Sequence, residues 1–241
     1  MKNGNIERDA AAAEGMLRGL RAELYPLFRQ WGRPECLFSP SVAKAAFVVI
    51  DMQNFSCAPV SHDAMPRIGL VIERINRLAD FCRKAGVPVI WVRQNITETP
   101  GRHDGGLYPA FHDERHWKNE ANMGPGTEIF PEMHFDPARD HVVFKNRYSA
   151  FLSRPPGLRE KLDALRRTQL IVAGIAANVC VESTVRDAMQ MDYEVILVAD
   201  GTTATSDALM ENALRNTMLF FGDVRTAEEV EALLSARGSL S

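Results

Sequence analysis

Cysteine is scarce in this 241-residue chain, with four residues in all. They lie far apart, without a CxxC pair or the spacing of zinc ligands. Such a distribution is typical of reduced thiols and predicts a cytoplasmic protein without a disulfide or a structural zinc site. The N-terminal residues also lack the basic and then apolar order of a secretory signal. The four cysteines are Cys36, Cys57, Cys82 and Cys180.

The chain also lacks a large excess of positive or negative charge. The 28 basic and 31 acidic side chains leave a formal net charge of −3, and the sequence has no basic run. The sequence therefore predicts no nucleic-acid partner. Its longest apolar stretches are too short to cross a bilayer, which predicts no membrane segment. Apolar residues make up 46% of the chain, an ordinary fraction for a globular domain.

What the sequence does contain, from Ala45 onward, is an alternation of short β-branched segments and amphipathic helical segments. Strict alternation of this kind is typical of a parallel sheet with helices on both faces. We therefore expect a three-layer α/β domain of about six strands. The predicted strands cover 46–50, 87–92, 142–144, 169–173, 194–199 and 223–225, and the predicted helices cover 69–84, 158–167, 179–191, 207–221 and 226–236.

Residues 1–40 do not follow this alternation and are predicted to form an N-terminal helical extension to a domain of residues 41–241. Two roles are open for it: packing on the domain or on a neighbouring subunit, or acting as an arm that covers the substrate. The irregular segment 95–139 is predicted to be a lid or an interface that sets specificity. The apolar face of the extension consists of Met16, Leu17, Leu20, Leu24 and Leu27, with Trp31 beyond it.

Three residues with catalytic potential follow predicted strands. Asp51 and Lys145 come directly after strands, and Cys180 follows another strand through a tight turn into a helix. Ligands bind at the carboxyl ends of strands in parallel sheets, so we expect these side chains to converge. Each also has a structural explanation when taken alone. An Asp can cap a helix, a Lys can be a solvated edge residue, and a Cys can be a small buried hydrophobe.

The three groups are chemically complementary. The first turn of a helix and a nearby ammonium group both favour thiolate over thiol at Cys180, and thiolate is the nucleophilic form. The carboxylate of Asp51 can act as a general base and then as a general acid. Such a set needs neither a metal ion nor an organic cofactor. It predicts transfer of an acyl group to water through a thioester, which is amide hydrolysis.

Three motifs carry a resemblance to a known family. The segments VVIDMQN, FKNRYSAF and GIAANVCVESTVRDA, in this order, resemble the cysteine hydrolases of the isochorismatase-like superfamily. The resemblance implies a Rossmann-like three-layer αβα fold with a parallel six-stranded sheet, and a homodimer or homotetramer. It also implies that Asp51 is the general acid/base, Lys145 the electrostatic partner and Cys180 the nucleophile.

The resemblance further implies a cis peptide bond between Ile175 and Ala176. The backbone N–H groups of Ala176 and Cys180 would then bind the developing oxyanion. Many members of the superfamily carry Thr where this chain has Ala177. We expect that difference to alter local hydrogen bonding without removing activity.

A metal site is not expected. Nicotinamidases of the superfamily bind a metal through an Asp-x-His pair after the second strand. At that place this chain reads Trp91-Val92-Arg93-Gln94-Asn95, which contains no such pair. The histidines of the irregular segment lack the spacing of ligands and are predicted to be surface residues. They are His103, His112, His116 and His134.

The strings KxRYSxF and GIAxNVCVEST are most similar to those of ureidoacrylate hydrolases and related carbamoyl or amide hydrolases. They imply an amidohydrolase that cleaves the C–N bond of a small amide, ureido or carbamoyl substrate and releases ammonia or an amine. The alternative is an isochorismatase-type vinyl-ether hydrolase in which Asp51 donates a proton. True isochorismatases generally lack the cysteine. The sequence leaves the acyl group open.

Side chains near the strand ends are candidates for substrate binding. Aromatic residues at such places are often core packing instead, and Gln53 has turn hydrogen bonding as its alternative role. Arg147 is able either to bind a substrate carboxylate or to form a surface ion pair. The predicted substrate-binding residues are Gln53, Phe55, Trp91, Asn95 and Tyr148.

Overall fold

A six-stranded parallel sheet forms the centre of the fold. The computed structural model describes residues 2–58, 65–95, 106–111, 124–152 and 156–238. The strand order is β3-β2-β1-β4-β5-β6, and each neighbouring pair is parallel. The predicted three-layer α/β fold is therefore confirmed. The strands are β1 (Ala45–Ile50), β2 (Val89–Gln94), β3 (His141–Lys145), β4 (Gln169–Ile175), β5 (Glu194–Thr203) and β6 (Asp223–Arg225).

Helices connect the strands and cover both faces of the sheet. Two π-helical turns, Ala177–Val181 and Thr217–Phe221, adjoin longer helices, and two short 3₁₀ turns cover Gly124–Thr127 and Ala150–Leu152. The helix predicted from Val179 thus starts as a π-helical turn two residues earlier. The helices are α1 (Lys2–Gln30), α2 (Asn54–Cys57), α3 (Ile68–Ala85), α4 (Tyr108–Phe111), α5 (Leu158–Leu165), α6 (Glu182–Gln190), α7 (Asp207–Asn216) and α8 (Ala227–Gly238).

The alternation of side chains along the strands divides the core into two apolar clusters. In β1, Val48 and Ile50 join one cluster, whereas Phe47 and Val49 join the other. Successive residues of a strand point to opposite faces, so each cluster lies on one side of the sheet. Helices α1, α5, α6 and α7 contribute to the first cluster, and α3 and α8 contribute to the second. Among the helices that the structure describes, none has the length and apolar character needed to span a bilayer.

Helix α1 packs on the domain. Leu17, Leu20, Leu24 and Phe28 are buried in the first cluster, together with residues of the sheet. The guanidinium of Arg21 donates hydrogen bonds to both carboxylate oxygens of Glu229, at 2.8 and 2.7 Å, and to a backbone carbonyl of β6. The extension predicted for residues 1–40 thus contributes apolar side chains to the same core as the sheet.

Gly174 allows β4 to pass close to the end of β1. Its φ is +115°, and a Cβ atom built on it would lie 2.1 Å from the carbonyl oxygen of Ile50. The register between β4 and β5 shifts at the same place, and the hydroxyl of Thr202 donates a 2.6 Å hydrogen bond to the Gly174 carbonyl. The close approach brings the residue after β1 beside the turn that follows β4.

Replacing Gly174 with Ala is expected to destabilise the fold by at least about 2 kcal/mol, because the new methyl group overlaps backbone atoms and φ is positive. Thermal or urea unfolding measures the loss. Gly19→Ala is the matched control, since Gly19 is exposed within α1 and a Cβ there meets no atom within 4 Å. That substitution should stabilise the chain by up to about 1 kcal/mol. Equal unfolding midpoints for the two variants would contradict the packing described at Gly174.

Leu20→Ala tests whether α1 unfolds together with the domain. Removal of a fully buried leucine side chain is expected to cost about 2–5 kcal/mol of unfolding free energy. The control is Glu14→Ala on the exposed side of the same helix, which should change it by less than about 0.5 kcal/mol. If the domain unfolds at the same urea concentration in both variants, α1 is not part of its cooperative unit.

Candidate active site

Asp51, Lys145 and Cys180 converge at the carboxyl edge of the sheet. The ammonium nitrogen Nζ of Lys145 lies 2.8 Å from Oδ2 of Asp51 and 3.3 Å from Sγ of Cys180. All three residues are buried, with exposed fractions of 3%, 1% and 7% respectively. The structure therefore brings together the three residues that the sequence selected.

Each of the three side chains is positioned by the end of a different strand. Asp51 directly follows β1, has a positive φ of 54°, and donates its backbone N–H to the carbonyl of Val92. Lys145 is the last residue of β3 and stands in register with Gln94 of β2. Cys180 lies in the π-helical turn between β4 and α6. Strands β1, β2 and β4 are neighbours in the sheet, and β3 pairs with β2, so their ends lie at one edge.

The turn that carries Cys180 contains the predicted cis peptide bond between Ile175 and Ala176. The carbonyl of Ala176 accepts hydrogen bonds from the N–H groups of Val179 and Val181. Within the described part of the chain, the N–H of Ala176 donates no hydrogen bond. Ala177 is fully buried in the first apolar cluster, so the position occupied by Thr in many relatives belongs to the core here.

A second contact holds the start of α6 against the segment after β3. The hydroxyl of Thr184 donates a 2.7 Å hydrogen bond to the carbonyl of Cys180 and accepts one from the N–H of Ala150. The thiol-bearing turn and the segment that follows Lys145 are thereby tied to the same side chain.

Lys145 is held as an ammonium ion. Its Nζ also donates to the side-chain oxygen of Gln94, at 3.1 Å, and to the backbone carbonyl of Arg147, at 3.2 Å. Burial by itself would lower the pKa of Lys145, but the charge of Asp51 and the hydrogen bonds to Asp51 and Cys180 raise it above its ordinary value. The raised pKa keeps the group positively charged at neutral pH.

Burial raises the pKa of the Cys180 thiol to about 12, and the charge of Asp51 adds to this effect while Lys145 opposes it. Burial thus opposes the thiolate form that is expected at the helix terminus, whereas the positive charge of Lys145 favours it. Burial also raises the pKa of Asp51, against the opposing effects of Lys145 and of hydrogen bonds. A carboxylate with a raised pKa is a stronger base, which suits it to accept the proton of this thiol.

Two of the predicted substrate-binding residues have other positions and contacts. The side chain of Gln53 is fully buried and forms hydrogen bonds with the backbone N–H and carbonyl of Gln94 and with the carbonyl of Thr127. Trp91 is packed in the second apolar cluster, on the opposite side of the sheet from Cys180, and its indole N–H donates to Asp140. The structure thus corrects both: Gln53 braces backbone segments, and Trp91 is core packing.

The other candidates have contacts that leave a role in substrate binding open. Tyr148 is half-buried against the first cluster, and its pKa is raised by burial and by the charge of Cys180. Asn95 donates its backbone N–H to the carbonyl of Lys145, at 2.9 Å, and Phe55 is half-buried in α2. Phe151, the last residue of the FKNRYSAF motif, packs on Tyr193, with ring centroids 5.4 Å apart. Roles for Phe55, Asn95 and Tyr148 in substrate binding stay predictions.

Gln94 is the site residue that the sequence analysis missed. A signal for it existed, since Arg93 and Gln94 are two polar residues at the end of a strand that is apolar up to Val92. Its importance depends on the pairing of β2 with β3, which places it beside Lys145 and is not visible in the sequence.

The described residues contain no group of three or more His, Cys, Asp or Glu side chains arranged to hold a metal ion. His134 is exposed and pairs with Asp80 at 2.8 Å. The histidines at 103, 112 and 116 lie outside the described residues, together with the rest of 96–105 and 112–123 in the irregular segment that was predicted to form a lid.

Comparisons with known proteins agree with this geometry. The chain is 33% identical over 225 residues to the ureidoacrylate amidohydrolase RutB of Methylorubrum extorquens, covering 85% of this chain and 88% of the relative. The RutB of Cronobacter sakazakii is 31% identical, covering 79% and 88%. A cysteine hydrolase from Pseudomonas syringae pv. phaseolicola shares the fold, with a TM-score of 0.71 and 23% identity over 85% of this chain and 99% of that one.

The N-carbamoylsarcosine amidase of Thermoplasma acidophilum also shares the fold, with a TM-score of 0.61 and 24% identity over 78% of this chain and 99% of that one. Residues 45–229 match the isochorismatase domain, and this range includes Asp51, Lys145 and Cys180. The chain therefore belongs to the isochorismatase family of hydrolases.

Proposed function

We propose that this protein is a cofactor-independent cysteine amidohydrolase that cleaves the C–N bond of a small amide, ureido or carbamoyl substrate. The observation that carries the proposal is the position of the Lys145 ammonium, 2.8 Å from the Asp51 carboxylate and 3.3 Å from the Cys180 sulfur. A buried base, a fixed positive charge and a thiol at these distances suit covalent catalysis through a thioester.

The first step is transfer of the thiol proton. Asp51 accepts the proton of Cys180, and Sγ attacks the substrate carbonyl carbon. The negative charge passes from the carboxylate to the sulfur and then to the carbonyl oxygen. Because Lys145 remains charged throughout, it stabilises each of these anions in turn.

The oxyanion then needs hydrogen-bond donors. The N–H groups of Ala176 and Cys180 are the proposed donors, and the N–H of Ala176 is available because it donates to no other group within the described residues. Collapse of the intermediate breaks the C–N bond, and Asp51 returns the proton to the leaving nitrogen. A water molecule, with Asp51 again acting as base, hydrolyses the thioester and frees Cys180.

The relatives guide the choice of substrate. RutB is named a ureidoacrylate amidohydrolase, and a structural neighbour is named an N-carbamoylsarcosine amidase. Both names describe compounds with a nitrogen–carbonyl–nitrogen group. Ureido and carbamoyl acids are therefore the first candidates for this chain, with ammonia or an amine as a product. A cytoplasmic homodimer or homotetramer is part of the same proposal.

Cys180→Ala is expected to lower turnover of an active ureido or carbamoyl substrate by at least about 10³-fold, because the nucleophile is removed. Ammonia release over a panel of small amides and ureido acids measures the effect. The control is Cys36→Ala, which changes an exposed cysteine and should leave turnover unchanged.

Undiminished ammonia release by Cys180→Ala would contradict the thioester mechanism. Hydrolysis of a vinyl ether by the same variant would instead favour the alternative, in which Asp51 donates a proton to the substrate. Trapping of a mass adduct on Cys180 with a slow substrate distinguishes the two directly.

The pH profile of kcat/KM should fall on the acid side as Asp51 becomes protonated. Because the pKa of Asp51 is raised, this fall is expected at a higher pH than an exposed aspartate would give. Asp51→Asn should lower kcat/KM by about 10²–10⁴-fold and remove the acid limb. The exposed Asp163→Asn serves as the control. An unchanged acid limb in Asp51→Asn would show that another group is the base.

A further inference from the structure

Lys145 has more hydrogen-bond acceptors than hydrogens to donate. An ammonium group has three N–H bonds. Four acceptors lie within reach of Nζ: Asp51 Oδ2 at 2.8 Å, Gln94 Oε1 at 3.1 Å, the Arg147 carbonyl at 3.2 Å and Cys180 Sγ at 3.3 Å. The three hydrogens therefore cannot serve all four acceptors separately. At any moment, either two acceptors share one hydrogen or one acceptor receives none.

The two neutral acceptors are fixed in place. Gln94 is the register partner of Lys145, so the two side chains lie next to each other on the same face of the sheet. The Gln94 backbone is held from both sides by Gln53, whose side-chain oxygen accepts from the Gln94 N–H at 2.8 Å and whose nitrogen donates to the Gln94 carbonyl at 3.1 Å. Gln53 is bonded in turn to Thr127. The second neutral acceptor, the carbonyl of Arg147, belongs to the backbone two residues after Lys145.

We propose that Gln94 is a positioning residue that, together with the Arg147 carbonyl, holds two hydrogens of the Lys145 ammonium and leaves the third to be shared by Asp51 and Cys180. This inference rests on the proposed function. The shared hydrogen points to the carboxylate in the resting site and to the sulfur once the thiol proton has moved to Asp51. The ammonium thus donates its third hydrogen to whichever of Asp51 and Cys180 is negatively charged, while it keeps its hydrogen bonds to the Gln94 and Arg147 oxygens.

Gln94 acts in this way through Lys145 and does not contact the substrate. The titratable groups that face Lys145 are Asp51, Cys180 and the half-buried Tyr148, and Cys57 lies near Asp51. With the Gln94 oxygen removed, the ammonium has a free hydrogen and is able to rotate toward one anion at the expense of the other. Both the acidity of Asp51 and the stability of the thiolate would then change, whereas substrate binding would not.

Gln94→Met tests the inference, because methionine keeps the length of the side chain and the backbone contacts but removes the acceptor. We expect kcat to fall by about 10- to 100-fold, with KM changed by less than about 3-fold. The acid limb of kcat/KM should move to lower pH, since the freed ammonium turns toward Asp51, its nearest acceptor at 2.8 Å, and stabilises the carboxylate further. The rate at which iodoacetamide alkylates Cys180, followed by intact mass against a Cys180→Ala blank, should also fall.

Gln94→Glu is the second variant and has almost the same shape. Its carboxylate still accepts from Lys145, so above its acid limb it should retain a higher kcat than Gln94→Met. Its added charge competes with Asp51 for the ammonium, so its acid limb should lie at higher pH than that of the unchanged protein. Gln190→Met is the matched control, because Gln190 is exposed at the end of α6 and bonds only to a neighbouring turn. It should match the unchanged protein in every measurement.

The inference is overturned if Gln94→Met has the kcat and pH profile of Gln190→Met. It is also overturned if kcat falls while the acid limb and the alkylation rate stay constant, since that pattern reports only a loss of structure. Failure of the proposed function is a separate result, because Cys180→Ala would then retain turnover. The alkylation measurement needs no substrate, so it decides the role of Gln94 in either case.

Discussion

The buried ion pair between Lys145 and Asp51 is the interaction on which the candidate site depends. Transfer of two charges from water into a protein interior costs several kcal/mol for each ion, and a pair recovers this cost only with close geometry and further hydrogen bonds. In this site the 2.8 Å contact supplies the close geometry, and Gln94 and the Arg147 carbonyl supply the further hydrogen bonds. The parallel sheet makes this possible, because backbone hydrogen bonds fix the three strand ends that position Asp51, Lys145 and Cys180.

The sequence predicted the convergence of Asp51, Lys145 and Cys180 because all three are set by one rule, the common edge of parallel strands. It failed where the direction of a side chain was needed. Trp91 was assigned to the pocket, although Gln94 lies three residues further along the same strand and therefore points to the opposite face. The deep burial of Cys180 was also not predictable, since the position of a residue in a turn says nothing about how deeply the turn is buried.

The larger fold was predictable from alternation, but its irregular features were not. Strand β5 extends to Thr203, and its register with β4 shifts next to Gly174. Gly174 is needed there because the backbones of β1 and β4 approach each other closely. Helix α1 was recognised from its apolar spacing, yet that spacing could not say which surface it covers. In the structure its leucines join the cluster that also contains Cys180, so the first helix and the candidate site share one core.

The burial of Cys180 has a consequence for the lifetime of the protein. Peroxides and other oxidants attack thiolates much faster than thiols, and they require access to the sulfur. Cys180 is only 7% exposed, and burial raises the pKa of its thiol, so both thiolate formation and access to the sulfur are disfavoured. In the proposed mechanism the site generates its reactive form only when Asp51 accepts the proton, and the same burial that raises the thiol pKa limits the access of oxidants to the sulfur.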